Sequence, residues 1–332
     1  MTIKLDLRRG KPTARVIAKS INEYGDVVTT FFVKGHRFIL PEQNTHRKDS
    51  RSVLSSRGVP VITLSTDILN DIAYPVYYGA HQKGMIAGDE IDALVMHPIT
   101  GEMLCPDEAW AAAAQSGVNW AKAFADAGYH KQLANRHQEA YGYFRATITA
   151  TSRDNYYGLR RHGDAQPEIH ALADAMWDAE VAHGEVTVLS AGEWHTPWIE
   201  AEDREEALKT AQALGDESYA QDILCLVSAA RCARSSYRTF DGIRSSLQAD
   251  MRLCLDLIAS DPIHSSPFEH VCTPDKKLEG ALILTTGEVR PWTGWEHPED
   301  HRNFDGFRQL RAFLERGELR DSLTKFAQYA SQ

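Results

Sequence analysis

Long apolar runs are missing from this chain: no stretch approaches the roughly 20 residues that cross a bilayer, so a membrane-embedded protein is not expected. The opening MTIKLDLRRGKPTARV carries charges with no continuous apolar region behind them, which argues against a secretory signal. Cysteine is scarce as well. The five present, Cys105, Cys225, Cys232, Cys254 and Cys272, form an odd, scattered set without a CxxC pair. Such a set argues against a disulfide framework and suits packing thiols kept reduced in a cytoplasm. Cationic excess is absent too: the net charge of −10 speaks against general nucleic-acid or anionic-membrane binding, which needs a cationic surface. Neither GxxxxGK[ST] nor GxGxxG occurs, so a Walker loop and a Rossmann phosphate turn are both excluded.

What remains has globular proportions, with 332 residues, 43% hydrophobic and 25% charged. No repeat or low-complexity linker divides it, so one domain over 1–332 is expected. ARVIAKSI and DVVTTFFVKGHRFIL flank the turn-prone NEYGD and read as neighbouring strands, and VPVITLS reads as extended. DEAWAAAAQSGVNWAKAFADAG reads as a helix capped by Asp107 and stopped at Gly128. HKQLANRHQEAYGYF continues helically, RATITATS alternates as a strand, and DNYYGLRR turns helical again. A long helix starts at Pro167 and runs to Gly184, and three further amphipathic helices lie between 203 and 260. Residues 275–306 read as an irregular surface loop. The class is therefore α/β (α+β), with long helices whose Trp110, Trp120 and Trp177 are candidates for subunit contacts.

Against the acidic background, NTHRKDSRSVLSSRGVP concentrates His46, Arg47, Lys48, Arg51 and Arg57 among Ser50, Ser52, Ser55 and Ser56. Arginines bind phosphate oxygens bidentately, serine hydroxyls and free amides add donors, and glycine permits close approach. The stretch is a competent phosphate cradle. A solvated basic loop is the alternative that composition alone leaves open.

Residue order adds to this. HRKDSRSVLSSR follows HRxxSxxxxSxR and resembles the RHRxxSxNxxSxR signature of flavin-dependent thymidylate synthases, with Thr45 for the first arginine and Ser52 for the asparagine. NYYGLRRHGDAQPEI, and ARCARSSY followed by HSSPFEH, resemble two further blocks of that family. Their order, together with QNTHR, HKQLANR and GEWHTPW, is that of the circularly permuted, phage-type members.

The resemblance implies a mixed sheet flanked by long helices. It also implies reductive methylation of dUMP at C5 to dTMP with FAD, methylenetetrahydrofolate as carbon donor and NADPH as reductant. A homotetramer with sites shared between subunits follows from it, as does a cytoplasmic location, the host's if a phage encodes the chain. By the same resemblance Val53, Leu54, Ser55, Ser56 and Arg57 hold the nucleotide, joined by Arg136. Arg160 lies on the pyrimidine and favours its N3-ionised form, a role that suits a permanent cation. Thr45, His46, Arg47, Lys48, Ser50, Thr149, Thr151, Asn155, Leu159, Ser236 and His270 match flavin-side positions. Either Glu42 or Gln309 takes the place of a nucleotide-holding glutamine.

Three alternatives stay open at this point. One is a hydroxymethylase, or a methylase of dCMP, serving modified phage DNA; another is a non-catalytic nucleotide- or flavin-binding scaffold. Glu193 and His195 in GEWHTPW read either as an acid/base pair or as part of an aromatic packing corner. The third, least favoured, is a general single-strand-binding protein, against which the overall acidity speaks. HPEDH at 297–301 reads as surface loop rather than metal site, since it lacks HExxH and a cysteine partner.

Overall fold

The computed structural model describes residues 11–234, 245–283, 285–286 and 288–330. The first two strands, β1 (Thr13–Asn22) and β2 (Val27–His36), pair antiparallel around Gly25, which takes φ 91° in the turn. The short helix α1 (Leu40–Gln43) leads into β3 (Ser50–Val53). Next comes α2 (Val61–Asn70), where VPVITLS was expected to be extended. Pro60 precedes it as an extended N-cap, and Val61, Leu64 and Ile68 then fall on the inner face while Ile62 and Leu69 are exposed, so helical spacing overrides β-branching here.

An arm follows with the small hairpin β4 (Val95–Met96) and β5 (Met103–Leu104), and Met85, Leu94, Met96 and Ile99 on it are exposed. The helix α3 (Pro106–Asp126) is capped by Cys105 rather than Asp107: the Cys105 amide donates to Glu108 Oε2 at 2.9 Å in a capping box. Gly128, at φ 89°, lies just past its end. The expected helical continuation is reduced to α4 (Lys131–Ala134) and two 3₁₀ turns.

The strand β6 (Tyr143–Ala150) is followed by helices α5 (Asp154–Arg160) and α6 (Pro167–Ala182) and strand β7 (Thr187–Leu189). Helices α7 (Ala201–Ala213), α8 (Tyr219–Ala233) and α9 (Leu247–Ala259) precede strand β8 (Cys272–Pro274). Within the segment expected to be irregular, β9 (Lys277–Ile283) and β10 (Val289–Trp295) pair as an antiparallel hairpin. Its Trp292, Thr293 and Trp295 are residues of high strand preference, which the polar neighbours had masked. The chain closes with β11 (Phe307–Gln309), α10 (Leu310–Arg316) and α11 (Arg320–Ala330).

The main sheet runs β3-β6-β2-β1-β7, antiparallel except for the parallel β1–β7 edge, so the architecture is mixed α/β. Alternation separates its faces. Phe31, Val33, Ala146 and Ile148 pack with Ile169, Leu172 and Met176 of α6. Opposite them, Thr30, Thr147, Thr149, Ser50 and Ser52 occupy the other face, paired in register as Thr30↔Thr149, Ser50↔Thr149 and Ser52↔Thr147. This hydroxyl-rich face is buried. A second core joins α7, α8, α9 and the last two helices. Inside it Arg231 is fully buried, with Nη1 and Nη2 donating to Asp203 at 2.7 and 2.8 Å and Nε to Asp250 at 2.9 Å. All five cysteines are free thiols, four of them buried; Cys105 instead serves as the α3 cap.

Candidate functional site

The cradle forms where β3 ends. Leu54 donates its amide to Arg145 of β6 at 2.9 Å, and the chain then turns through Ser55–Gly58, with the Gly58 amide on Ser55 carbonyl at 3.0 Å. Asn135 holds this turn from beneath, its buried Nδ2 donating to the carbonyls of Ser56 and Val59 at 2.8 and 3.0 Å. Lys131 adds a bond to Gly58 carbonyl at 3.0 Å. HKQLANR is thus the platform on which SSRGV rests, although the two are separated by more than 70 residues.

Leu54, Ser55 and Ser56 line a cavity of about 720 Å³ together with Arg37, Arg145 and Arg234. Arg234 follows α8, so the ARCAR block meets the serine-rich block at this cavity. Ser236, expected on the flavin side, lies outside the described residues. The cradle donors already have an anion of their own. Glu139 accepts from Ser56 Oγ and, at 2.7 Å, from Arg136 Nη1, with Arg37 Nη2 at 3.7 Å. Arg57 is exposed, its amide on Ser55 Oγ at 3.3 Å.

Arg160 stands elsewhere. Its Nε donates to His46 Nε2 at 2.8 Å, and its Nη2 to Thr45 Oγ1 at 3.1 Å and Glu42 carbonyl at 3.3 Å. Burial, then the Arg160, Arg51 and Arg153 charges, push His46 down to about 4, so at neutral pH it is an acceptor for the guanidinium. Glu42 and Arg160 line a second cavity of about 980 Å³, walled by Phe38 and Trp110 and reached by Gln166 of the AQ-EI block. The two cavities share no lining residue. Within one chain the structure therefore does not unite Arg160 with Ser55 and Ser56.

Of the remaining flavin-side candidates, Arg47, Lys48, Asn155 and Leu159 are exposed; Lys48 pairs with Asp305 at 2.8 Å. Thr151 Oγ1 accepts the Asp305 amide at 2.8 Å. Ser50, Thr149 and His270 are buried on the hydroxyl face. Gln309 is buried too and approaches the basic stretch, Nε2 donating to Asn303 Oδ1 at 2.7 Å and Ser50 Oγ at 3.4 Å. Its Oε1 and the Oε2 of Glu42 are buried with no hydrogen-bond partner among the described residues.

Glu193 and His195 are not an acid/base pair: Glu193 Oε2 accepts the Ser190 amide at 2.7 Å, whereas His195 bonds Ser20 and Thr30. Trp198 fits the packing corner, edge-on to Phe32 at 5.5 Å. In HPEDH, His301 is buried rather than on a surface loop, with Nε2 2.8 Å from Asp275 Oδ2. Asp275, Glu296 and His297 each offer one ligand atom within 4.8 Å of the others. Asp275 also accepts the amides of Lys276 and His297 at 2.9 Å, so this cluster fastens the base of the β9–β10 hairpin.

Sequence reasoning missed Arg37, Asn135, Glu139, Arg145 and Arg234. A signal existed for Arg145, a charged residue in the polar phase of FRATITA, on the side of Thr147 and Thr149; Glu139 carried none. Among the described residues no helix is long and apolar enough to cross a membrane.

No family model matches the sequence, and no curated protein does. Partial likenesses to solved structures exist. One is the UMP/dUMP methylase PolB from Streptomyces cacaoi bound with 5-Br UMP, 15% identical over 52% of this chain and 90% of that one, with a TM-score of 0.38. Another is the flavin-dependent thymidylate synthase ThyX from Helicobacter pylori complexed with FAD and dUMP, 18% identical over 46% of this chain and 67% of that one, with a TM-score of 0.32.

Proposed function

We propose that this chain is a permuted flavin-dependent thymidylate synthase, methylating dUMP at C5 with FAD, methylenetetrahydrofolate and NADPH. One observation carries the reading. The serine-rich block and the ARCAR block, distant in sequence, meet at one cavity of about 720 Å³ lined by Arg37, Arg145 and Arg234, with Glu139 and Asp67 the carboxylates among them. Three guanidiniums around serine hydroxyls suit a phosphate monoester, because charge-assisted bonds from a planar fork match its oxygens.

The residues fit a flavin on two grounds: His46 and Arg47 keep the motif identities, and exposed Asn155 and Leu159 lie four apart on one face of α5. The orphaned buried oxygens of Glu42 and Gln309 are a further sign of polar atoms awaiting a partner. His46, Arg47, Asn155 and Leu159 would hold the group, which when bound supplies the redox chemistry of the reaction. Arg160 acts on the nucleotide, a fixed cation beside a pyrimidine whose N3 loses its proton. Since Arg160 and the cradle lie in separate cavities of one chain, the reading requires a second copy to complete the site, as in a homotetramer.

The test is spectroscopic and chemical. Purified protein incubated with FAD should acquire a bound flavin spectrum, and with dUMP, methylenetetrahydrofolate and NADPH it should yield dTMP by mass spectrometry. A colourless protein that binds neither FAD nor dUMP sinks the proposal; a 5-hydroxymethyl product, or turnover of dCMP alone, moves the chain to the hydroxymethylase or dCMP methylase reading. Arg145→Ala should weaken dUMP binding on the order of tenfold or more, the loss of one hydrogen bond to a charged group being about 1.5–3 kcal/mol.

A further inference from the structure

Across the buried hydroxyl face runs one continuous hydrogen-bonded line. Ser20 Oγ lies 2.8 Å from His195 Nδ1, and His195 Nε2 lies 2.8 Å from Thr30 Oγ1. Thr30 Oγ1 is 2.7 Å from Thr149 Oγ1, which is 2.9 Å from His270 Nδ1. His270 Nε2 ends the line 2.9 Å from Ser52 Oγ. Strands β1, β2, β6 and β3 each give a hydroxyl, and two histidines from outside the sheet bridge them. None of the six side chains is more than 8% exposed.

Each hydroxyl has one proton to give, and each neutral imidazole has one N–H and one acceptor nitrogen. Five bonds among six such groups then allow only two assignments in which both threonines also spend their own proton within the line. In one, Ser20 donates to His195 and every later bond points the same way, with both histidines protonated on Nε2. In the other, Ser52 donates to His270, all bonds reverse, and both carry the proton on Nδ1. Any mixed assignment leaves a bond with two protons or none, or makes one threonine accept from both sides and strands its proton, inside a low-dielectric interior where an unmade hydrogen bond is costly. Burial holds both imidazoles neutral, at about 3, which keeps this two-way choice intact at physiological pH.

We propose that Ser20, His195, Thr30, Thr149, His270 and Ser52 act as one polarity chain, in which His195 is a positioning residue for Ser52, fixing whether that hydroxyl offers a proton or accepts one. Ser52 sits on β3, two residues before the Leu54 that lines the cradle cavity. When His270 donates to it, its own proton is turned to its other neighbours; when it donates to His270, it can only accept from them. A neighbouring protein group that demands one character of Ser52 therefore sets the tautomer of His195 at the other end of the line.

The experiment is ring-nitrogen NMR of full-length protein labelled with ¹⁵N-histidine at neutral pH, where protonated and unprotonated nitrogens are resolved. The two histidines should show the same tautomer. Ser52→Ala removes the partner of His270 Nε2 and should put both protons on Nδ1; Ser20→Ala removes the partner of His195 Nδ1 and should put both on Nε2. At least one variant must therefore switch the remote ring. In a Thr30→Val background Ser20→Ala should leave His270 unmoved. Opposite tautomers in the unaltered protein would overturn the proposal without any variant, and so would remote rings indifferent to both alanines.

Discussion

Lowering the pH from 7 to 5 should cost this fold several kcal/mol before most of its carboxylates begin to titrate. His195 and His270 are held neutral by burial, their values pushed down from 6.5 to about 3. In the unfolded chain both return to about 6.5. Below that pH the unfolded state binds protons that the native state refuses, so stability is full above 6.5 and falls as pH drops, until the native rings titrate near 3. The slope is about 1.4 kcal/mol per pH unit for each ring, which by pH 5 amounts to about 2 kcal/mol each and about 4 for the pair. Total stabilities are typically about 5–15 kcal/mol, so the effect is large.

His36 and His46 are also lowered by burial and act in the same direction, so the total slope does not isolate the pair. His270→Gln does. Glutamine can keep a donor near Ser52 but cannot titrate, so the variant starts less stable at pH 7 and the gap to the unaltered protein narrows by about 2 kcal/mol on reaching pH 5. Urea unfolding followed by circular dichroism at half-unit steps measures that gap. Parallel curves for the two proteins would refute the assignment of His270 as a buried neutral base.

Arg231→Met leaves Asp203 buried without its cation and Asp250 with Arg234 alone, 3.4 Å away, and should cost about 3–5 kcal/mol in the same assay. Glu139→Gln removes the internal anion from Ser56, Arg136 and Arg37. Inorganic phosphate or dUMP should then bind on the order of tenfold tighter by calorimetry, the arginine charges being no longer offset; unchanged or weaker binding would mean that Glu139 only braces the turn. Gly35→Ala would set a methyl 2.8 Å from the Phe144 ring and should lower stability by about 1–3 kcal/mol.

The strands of the sheet were legible because alternation is a local signal: Phe31 and Val33 against Thr30, and Ile148 against Thr149, declare two faces. The α2 helix was not, since VITLSTDILN offers β-branched residues and a helical apolar spacing together. The β9–β10 hairpin failed for another reason. Its strands are largely exposed, so nothing forces the apolar contrast by which a strand is read.

For the site, the motifs located the right blocks without telling which side chains point outward. Ser55 and Ser56 face a cavity as their chemistry suggested, but Thr149 and His270, matched to flavin-side positions, spend their polar atoms on each other in the interior. That division follows from strand period. Residues two apart share a face, so β3 turns Ser50 and Ser52 together to the buried side, whereas Leu54, Ser55 and Ser56 come after the strand ends at Val53 and are not bound by its alternation. On the buried side each serine needs a partner, because a buried hydroxyl without one is costly. Gln309 and Asn303 serve Ser50, and His270 serves Ser52. The concentration of hydroxyls in NTHRKDSRSVLSSRGVP thus answers two demands: serines after the strand are donors for an anion, and serines within it tie the cradle to a hydrogen-bonded interior.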